Sequence, residues 1–464
     1  MYRGASRRKA RAYPTATSGA STTQGVLRTR AAPAMNPPLT LYFAHAIADD
    51  RGTIASPGAV LIRHDRDGLG AELMEAGDRD RVESLATSES IRRCDRGDAL
   101  ISPGFVNAHT HLDLTCVGPR PYSPEMDFAD WLADVRRRRP VEDSAISASV
   151  RRGIELSRHG GVVAVGDIVG ALSLVPVQEL RSSPLIGNSF LECFGLGDGL
   201  TSATQIEGLL RATAFTEHGV RIGLQPHAPY SAGKALYERV ASLAAEHDLP
   251  VTTHLAESMN ERRLIEAGEG PLRDFLESIS LWTPATAAEF GLHRSPVQHV
   301  RDVLLKRRWL AAHLNDCSDG DIDVLASSGT VIAYCPRASA YFFHEQSLGA
   351  HRYRDMMNAG ITVALGTDSI IGFPEAEADR MSVLDEMRAL WRRDQTPPHM
   401  LWRMATTAGA EALGLPPEWF RLSTGHCAGL VSIDLDANSR KDPLEAALDS
   451  SNQPRLLTNE SHSR

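Results

Sequence analysis

Eight short apolar runs, each followed by polar or glycine-containing residues, constrain the fold of this chain more than any other feature. They read "FVNAHTHLDL", "GVVAVGDIV", "LIGNSFLECFGL", "VRIGLQPHAPY", "VTTHLAES", "WLAAHLND", "TVIAYCPR" and "TVALGTDS". Stretches with helical periodicity separate them, among them residues 235–247, 321–328 and 376–393. Strands that alternate with helices predict an α/β fold with a parallel sheet. Eight such units favour a closed barrel, whose active site lies at the carboxyl ends of the strands.

Polar side chains stand at the carboxyl ends of several of these runs. His109 and His111 end the first run, and both point to the same side because side chains on a strand alternate between faces. This spacing fits two ligands of one metal ion, and it fits two polar residues that merely finish a strand. Later strand ends carry His227, His254, His313 and Asp368. Together these residues predict a catalytic rim.

The composition of the chain indicates which class of partner it binds. The 464-residue chain carries a formal net charge of −9 and is 42% hydrophobic. This acidity argues against a nucleic-acid surface and leaves a small molecule as the expected partner. No apolar run approaches the roughly 18 residues of a membrane span. The six cysteines form no C-x-x-C pair, which suits a reducing compartment and predicts a cytoplasmic protein.

Both ends of the chain differ from its body. Positions 1–34 contain seven basic residues and no acidic residue, a composition similar to that of an organelle transit peptide. A disordered tail, or a reading frame that begins upstream of a true start at Met35, explains the same composition and is favoured. We therefore expect residues 1–35 and 449–464 to be tails without catalytic residues.

Six motifs carry a family resemblance, and they occur in the order "PGFVNAHTHLDL", "PHAPYS", "HLAES", "LAAHLND", "AYCPR" and "ALGTDS". In this order they resemble the amidohydrolase superfamily, specifically its cytosine deaminase-like branch of aminohydrolases and chlorohydrolases of N-heterocycles. The resemblance implies a distorted (β/α)8 TIM barrel over residues 103–415. It also implies a small β-sandwich domain built from both flanking segments, residues 36–102 and 416–448.

The same resemblance implies a metal site. Its ligands would be His109, His111, His254 and Asp368. Three neutral imidazoles and one carboxylate suit a divalent ion with one position open for water, and Zn2+ is favoured over Fe2+ or Mn2+. Some relatives hold two metals with a carbamylated lysine from a middle strand. No lysine of this chain ends such a strand, so one ion per chain is expected.

Three residues would take catalytic roles by resemblance. Glu257 would protonate the ring nitrogen of the substrate and relay protons, although a carboxylate there also suits a helix N-terminus. Asp368 would accept a proton from the attacking water as well as bind the metal. His313 would orient the attacking hydroxide and the tetrahedral intermediate.

Three further residues would contact the substrate. His227 in "PHAPYS" matches a substrate-contacting position of the family. Arg337 follows the seventh run, and its guanidinium could bind a carboxylate or a ring carbonyl. Trp131 in "FADWL" belongs either to an aromatic wall of the pocket or to the core. Many relatives carry Ser-Asn shortly after Cys-Pro, whereas this chain reads "CPRASAYF", so the pocket cannot be copied from them.

Three further segments bear on the substrate. The segments "FADWLADVRRRR", "GPLRDFLE" and "CPRASAYF" are similar to those of the aminodeoxyfutalosine deaminases of menaquinone biosynthesis. That similarity implies hydrolysis of an adenine-type amino group with release of ammonia. Alternatives are a deaminase or chlorohydrolase of another N-heterocycle, such as an adenosine-like compound, guanine or a triazine, and a cyclic-amide hydrolase. A non-catalytic binding protein is the alternative of another class, and a homodimer is left open.

Overall fold

The eight apolar runs form the parallel strands predicted from them. A computed structural model of the chain describes residues 39–65, 70–86, 91–123, 125–126, 128–170, 173–197, 199–436 and 440–457. Its strands are β1 Leu39–Ala44, β2 Ala46–Asp49, β3 Gly52–Ala55, β4 Gly58–His64, β5 Ala71–Asp78, β6 Arg92–Asp95, β7 Ala99–Pro103, β8 Phe105–Thr110, β9 Val162–Val169, β10 Ile186–Cys193, β11 Thr216–Glu217, β12 Val220–Pro226, β13 Thr252–Leu255, β14 Leu310–His313, β15 Val331–Tyr334, β16 Val363–Leu365, β17 Gly425–Cys427, β18 Leu430–Asp434 and β19 Pro454–Leu456. The predicted runs correspond to β8, β9, β10 and β12 to β16.

Helices follow most of these strands and complete the α/β alternation. The α-helices are α1 Arg79–Leu85, α2 Phe128–Arg138, α3 Asp143–His159, α4 Val175–Arg181, α5 Thr201–Arg211, α6 Lys234–Glu246, α7 Met259–Ala267, α8 Pro271–Ser278, α9 Pro284–Ala287, α10 Pro296–His299, α11 Arg301–Leu304, α12 Asp319–Ser328, α13 Pro336–Tyr341, α14 His344–Leu348, α15 Tyr353–Asn358, α16 Val383–Asp394, α17 Pro398–Ala405, α18 Thr407–Leu413 and α19 Pro443–Asp449. Single 3-10 helices span Leu112–Val117, Ile370–Gly372, Glu375–Glu377 and Pro417–Phe420.

The eight strands lie in two sheets. One sheet has the order β11-β12-β10-β9-β8, in which only the short β11 is antiparallel, and the other has the order β13-β14-β15-β16. Single parallel bridges join the edges of the two sheets, Thr110 to Asp368 and Leu224 to Val251. Because neighbouring strands are parallel, their carboxyl ends lie at one edge, where polar residues from different strands can meet.

Burial of both faces explains the apolar character of these strands. Every residue of β9 and of β10 is buried, as expected for parallel strands that are covered on both sides. The largest core cluster combines side chains from these strands and from the helices around them, such as Val150 of α3, Leu236 of α6 and Leu384 of α16. The polar residues at the strand ends therefore project from a tightly covered scaffold.

Two further sheets are built from the flanking segments, with the orders β17-β5-β4-β1-β6 and β19-β18-β7-β2-β3. One core cluster contains side chains from both sheets, including Tyr42, Ile62 and Leu73 from the first and Ile47 and Leu430 from the second. N-terminal and C-terminal segments thus share these sheets. The chain from Pro37 onward groups as one compact unit, so these sheets are not set apart from the rest.

The prediction of a C-terminal tail from residue 449 is wrong for residues up to 457. Strand β19 pairs antiparallel with β18, and Leu457 is fully buried. The Tyr42 hydroxyl donates to the Leu457 carbonyl oxygen at 2.8 Å, and Arg388 Nη2 donates to the Asn452 carbonyl oxygen at 2.7 Å. Partners distant in sequence thus order a segment that has little apolar periodicity of its own. Residues 458–464 and the predicted tail at 1–35 lie outside the described residues.

No helix among the described residues is long and apolar enough to cross a membrane.

Candidate active site

Three histidines from two strands converge at the carboxyl edge. His109 lies on β8, His111 directly follows that strand, and His254 lies on β13. One ring nitrogen from each lies within 4.8 Å of the others. The Nε2 atoms of His254 and His111 are 3.3 Å apart. Two strands that belong to different sheets thus bring together the three imidazoles that the motifs predicted as ligands.

Asp368 adds a carboxylate to these imidazoles. Its Oδ1 lies 3.4 Å from Nε2 of His111 and 3.8 Å from Nε2 of His109. The residue follows β16 in a left-handed conformation, with φ of 56°. Its backbone N–H donates to the His109 carbonyl oxygen at 3.1 Å, and its own carbonyl oxygen accepts from the Thr110 hydroxyl at 3.0 Å. These backbone contacts hold Asp368 beside the end of β8.

The protonation states of this cluster suit a divalent cation. Both ring nitrogens of His109 and Nδ1 of His111 are buried and have no hydrogen-bond partner within the described structure. Burial and the neighbouring imidazoles lower the pKa of His109 and His111 well below the ordinary value, so both rings are neutral. Burial and then Glu257 raise the pKa of Asp368 to about 8, and a bound cation would oppose that rise. Neutral imidazoles with unused lone pairs beside a carboxylate fit such an ion.

Glu257 and His313 form the neighbouring pair. Glu257 follows β13, His313 ends β14, and Oε1 of the first lies 3.8 Å from Nε2 of the second. Burial raises the pKa of Glu257 to about 7 and lowers that of His313 to about 3. At neutral pH the carboxyl can therefore either donate or accept a proton, while the imidazole is neutral.

Hydrogen bonds hold the backbone around Glu257 on both sides. The Glu261 carboxylate accepts from the backbone N–H of Ala256 at 3.1 Å and of Glu257 at 2.8 Å. The Asn315 amide donates to the Glu257 carbonyl oxygen at 2.9 Å, and its oxygen accepts from the Ser339 hydroxyl at 3.1 Å. Ala256 has a φ of 52°, a conformation that a residue with a side chain adopts only when it is held.

His227 lies beside His254 and faces a second carboxylate. The centroids of the two imidazoles are 4.9 Å apart. Nδ1 of His227 is 2.5 Å from the Ser231 hydroxyl, and Nε2 is 3.8 Å from Oε1 of Glu192. Glu192 is buried on β10, and its Oε2 lies 3.7 Å from Nη1 of Arg139. Burial raises the pKa of Glu192 to about 7, and Arg139 opposes that rise.

Comparison with known proteins identifies the family of this chain. Residues 100–457 match the Amidohydrolase family, a span that contains all eight parallel strands and the whole cluster. The chain belongs to the amidohydrolase family. It is therefore a hydrolase that acts on carbon–nitrogen bonds, and both the family and this enzyme class are confirmed as predicted.

Two of the proteins to which this chain is similar are deaminases. The aminodeoxyfutalosine deaminase of Deinococcus radiodurans is 27% identical over 380 residues, which cover 78% of this amidohydrolase and 83% of the relative. A 5-methylthioadenosine/S-adenosylhomocysteine deaminase of Nitratidesulfovibrio vulgaris is 27% identical over 414 residues, which cover 84% of this chain and 81% of the relative.

Solved structures share the fold. The Helicobacter pylori aminofutalosine deaminase, in complex with methylthio-coformycin, matches with a TM-score of 0.69 and 21% identity, covering 90% of this chain and 98% of that one. An adenosine deaminase of Xanthomonas campestris with bound zinc matches with a TM-score of 0.68 and 19% identity, covering 92% and 94%. Because both structures are less than 25% identical to this chain, what they share with it is the fold, which is of the TIM-barrel type.

Two predicted substrate contacts of this amidohydrolase have partners within the protein. Arg337 donates through Nε to Glu386 at 2.6 Å and through Nη1 to Glu377 at 2.9 Å, and it lies over the ring of Phe373. Its Nη2 is buried and has no hydrogen-bond partner in the described part of the chain. The structure thus uses most of this guanidinium to anchor α13 to α16.

Trp131 joins an aromatic cluster with Tyr341 and Phe342. Its Nε1 donates to the Tyr341 hydroxyl at 3.1 Å, and its ring centroid lies 4.9 Å from that of Phe342. The residue also packs against the core cluster that contains Tyr230, which follows His227 by three positions. Core packing describes these contacts, and a place in the wall of the pocket stays a prediction.

Sequence reasoning missed four residues of this amidohydrolase that contact the site, namely Glu192, Arg139, Glu261 and Asn315. One of them left a local signal. Ser258 accepts from the Glu261 N–H and caps α7, so "SMNE" is the S-x-x-E pattern of a helix start. The other three become recognisable only through neighbours that lie far away in sequence.

Proposed function

We propose that this amidohydrolase is a metal-dependent deaminase of adenosine-like nucleosides, with aminodeoxyfutalosine as its preferred substrate and futalosine and ammonia as products. One observation carries the proposal: the cluster of three histidines and Asp368 lies beside a Glu257–His313 pair. This combines residues suited to a hydrolytic metal with a carboxyl able to transfer protons. The names of the relatives from Deinococcus and Nitratidesulfovibrio support an adenosine-like substrate.

The metal-binding residues would be His109, His111, His254 and Asp368, with one divalent ion per chain and Zn2+ favoured. When bound, such an ion lowers the pKa of a water molecule and so makes a nucleophile available near neutral pH. His254 is oriented for this role because its Nδ1–H can donate to the His227 carbonyl oxygen at 3.0 Å, which directs the Nε2 lone pair to the cluster.

The protein's own groups would move the protons. Glu257, with a pKa of about 7, would donate a proton to the ring nitrogen next to the carbon that is attacked. Asp368 would accept a proton from the attacking water, and the neutral His313 would hydrogen-bond to the attacking oxygen. The proton held by Asp368 would then pass to the exocyclic nitrogen, and the carbon–nitrogen bond would break with loss of ammonia. As the carbon–oxygen double bond forms, the remaining hydroxyl proton would return to Glu257.

Three residues are proposed to contact the substrate. His227 lies next to the metal cluster, and Trp131 would contribute an aromatic wall. Arg337 would act through Nη2, the guanidinium nitrogen that the surrounding carboxylates leave without a partner in the described structure.

The finer architecture is also proposed. The two parallel sheets would close as a distorted (β/α)8 barrel over residues 103–415, which the Thr110–Asp368 and Leu224–Val251 bridges support. The flanking sheets would pack as a small β-sandwich domain over residues 36–102 and from 416 to 457. The core that the two sheets share supports this domain.

A cytoplasmic location is supported by the six free cysteines. A homodimer is compatible with this proposal.

A substrate comparison tests the function. Metal-replete enzyme would be assayed with aminodeoxyfutalosine, adenosine, 5-methylthioadenosine, S-adenosylhomocysteine, guanine and a chlorotriazine, with products followed by mass spectrometry and ammonia release. We expect the highest kcat/KM for aminodeoxyfutalosine, since its remote groups add binding energy in the transition state. A higher value for guanine or the triazine would contradict the nucleoside assignment.

A second candidate is deamination of 5-methylthioadenosine or S-adenosylhomocysteine. The Nitratidesulfovibrio relative favours it, since that protein covers a larger share of this chain at the same identity. The same assay separates the two candidates, because they differ only in the group carried at the 5′ position of the ribose.

A further inference from the structure

His111 lacks the hydrogen bond that usually orients a metal-binding imidazole. Its Nε2 faces the cluster, 3.3 Å from Nε2 of His254 and 3.4 Å from Oδ1 of Asp368. Its other ring nitrogen, Nδ1, is buried and has no hydrogen-bond partner among the described residues. In His254 the corresponding nitrogen can donate to a backbone carbonyl oxygen, a contact that fixes the direction of a ring. The direction of the His111 ring therefore depends on its backbone and on packing.

The backbone that follows His111 is held through the next two residues. The N–H of Leu112 donates to Oδ1 of Asp167 on β9 at 3.1 Å. The carboxylate of Asp113 is fully buried, and its Oδ2 accepts from Nε and Nη2 of Arg139 at 3.1 and 3.0 Å. Arg139 thus makes a two-point contact with a side chain that lies two positions after a proposed metal-binding residue.

The guanidinium of Arg139 joins the ends of three consecutive parallel strands. Asp113 lies just after β8, and Glu192 on β10 places its Oε2 3.7 Å from Nη1. Gly170 directly follows β9, and a Cβ atom at this position would lie 1.6 Å from Nη2 of Arg139. The guanidinium therefore packs against the backbone at Gly170 while carboxylates from the two neighbouring strands face it. A planar group held on three sides has a fixed orientation.

We propose that Arg139 is a positioning residue for the metal site, which acts by fixing the Asp113 segment and, through it, the imidazole of His111. The inference rests on the proposed function, because that function includes His111 among the metal-binding residues. A guanidinium presents two N–H donors in one rigid plane, and the ammonium group of a lysine cannot reproduce this contact. The two-point geometry, and not the charge alone, then determines how well the site holds its ion.

The charge of Arg139 and its positioning role have opposite effects on a bound cation. Arg139 lies beside Glu192, whose carboxylate is within 4.8 Å of a ring nitrogen of His254. At this short range a positive charge repels a divalent ion, so loss of the charge alone would tighten metal binding. Loss of the positioning contact would weaken metal binding, because contacts that orient metal-binding side chains typically change the affinity by about 10- to 100-fold. The sign of the change therefore distinguishes the two roles.

The first experiment measures metal affinity. Full-length wild-type protein, Arg139→Lys and Arg139→Met are loaded with Zn2+, and the dissociation constant is measured by competition with a chromophoric chelator. We expect Arg139→Lys to weaken Zn2+ binding by about 10-fold and Arg139→Met by about 10- to 100-fold, although the second variant removes a positive charge. Binding that is unchanged or tighter in either Arg139 variant would overturn the inference.

The matched control is Arg138→Met. Arg138 is the preceding residue, its side chain is 45% exposed, and it pairs with Asp134 on the same helix. This variant removes the same chemical group and should leave the dissociation constant unchanged. A loss equal to that of Arg139→Met would overturn the inference, since the effect would then belong to α2 as a whole.

A spectroscopic measurement distinguishes positioning from a loss of stability. Each protein is loaded with Co2+, whose visible absorption depends on the geometry of the atoms that bind it. We expect a changed Co2+ spectrum in Arg139→Lys and the wild-type spectrum in Arg138→Met. The free energy of unfolding is measured on the same proteins. A wild-type spectrum in Arg139→Lys together with a lower free energy of unfolding would assign Arg139 a structural role only.

These measurements need no substrate, so they separate the inference from the proposed deamination. If no nucleoside is deaminated but Zn2+ binding weakens in both Arg139 variants, the proposed function fails while the inference stands. His111→Ala, measured in the same way, tests the residue through which Arg139 acts. If this variant binds Zn2+ as tightly as the wild-type protein, His111 does not hold the ion and the inference is overturned.

Discussion

At the scale of single residues, burial sets the protonation state on which the site depends. His254 and His313 are buried beside other imidazoles, and burial lowers the pKa of both to about 3. Glu257 and Asp368 shift in the opposite direction, because burial disfavours the charged form of each group. Neutral imidazoles can bind a cation, and the Glu257 carboxyl with its raised pKa can donate a proton. A cation bound beside Asp368 would lower the pKa of that carboxyl again.

A metal requirement follows from the four converging side chains. We expect about one tightly held divalent ion per chain and loss of turnover on chelation, with recovery when the ion is restored. His111→Ala should lose the ion, whereas His159→Ala, at the exposed end of α3, should keep it. Metal analysis of each purified protein checks both statements. Full activity in a metal-free sample would contradict the mechanism, and two essential ions would contradict its mononuclear form.

The role of Glu257 can be separated from metal binding. Glu257→Gln should keep the ion and the fold but lower kcat by at least ~100-fold, because the amide cannot transfer the proton that the carboxyl carries. Glu277→Gln on α8, with a side chain 46% exposed, is the matched control. Steady-state kinetics and metal analysis on the same preparation are the measurements. An unchanged kcat would exclude the proton-transfer role.

At the scale of elements, the turns at the ends of the strands orient the side chains of the site more than the strands themselves do. Ala256, His313, Leu314 and Asp368 all have positive φ values although none is glycine. Such conformations persist only where hydrogen bonds hold them. Glu261 holds the first turn through two N–H groups, and His351 Nε2 donates to the His313 carbonyl oxygen at 2.8 Å. The side chains proposed as catalytic are thus oriented by turns that neighbouring residues hold in place.

Glu261 is therefore expected to act as a positioning residue. Glu261→Gln should lower kcat by about 10-fold with little change in KM, because the amide cannot accept from both N–H groups and Glu257 is held less well. Glu266→Gln lies on the same helix α7 with a side chain 46% exposed and should change neither constant. Kinetics, metal content and the free energy of unfolding should be measured together. A loss confined to stability would assign Glu261 a structural role only.

At the scale of the whole molecule, the two ends of the described chain are joined through the flanking sheets. Strand β18 pairs with both β7 and β19, so the C-terminal segment adds to a sheet that begins before the parallel strands. Arg388 of α16 donates to the carbonyl oxygens of Ala447 and Asn452, which ties this segment to a helix of the parallel-strand region. The C-terminal strand is thus part of the fold that supports the site.

Truncation tests this arrangement. Deletion of residues 450–464 should lower the free energy of unfolding by at least ~3 kcal/mol, since it removes the buried Leu457 and the two carbonyl oxygens, of Leu457 and Asn452, that accept from Tyr42 and Arg388. Deletion of residues 458–464 alone keeps these contacts and is the matched control. Chemical denaturation measures both. Equal stability of the two truncated proteins would show that β19 contributes nothing to the fold.

The amino-acid sequence by itself determined the eight parallel strands, because β-branched runs covered on two faces are apolar throughout. It also predicted the proposed site residues, which stand at or just after the ends of these runs: strand-end position indicates His109, His111, His254, His313 and Asp368, and the family resemblance adds Glu257. Only the tertiary structure decided which partners surround them. Glu192, Arg139 and Asn315 meet the site through neighbours far away in sequence, and Arg337, free to bind a ligand on sequence grounds, is largely taken up by Glu386 and Glu377. The segment up to Leu457 became a strand for the same reason, because pairing with β18 and burial against Tyr42 depend on contacts that no local pattern encodes.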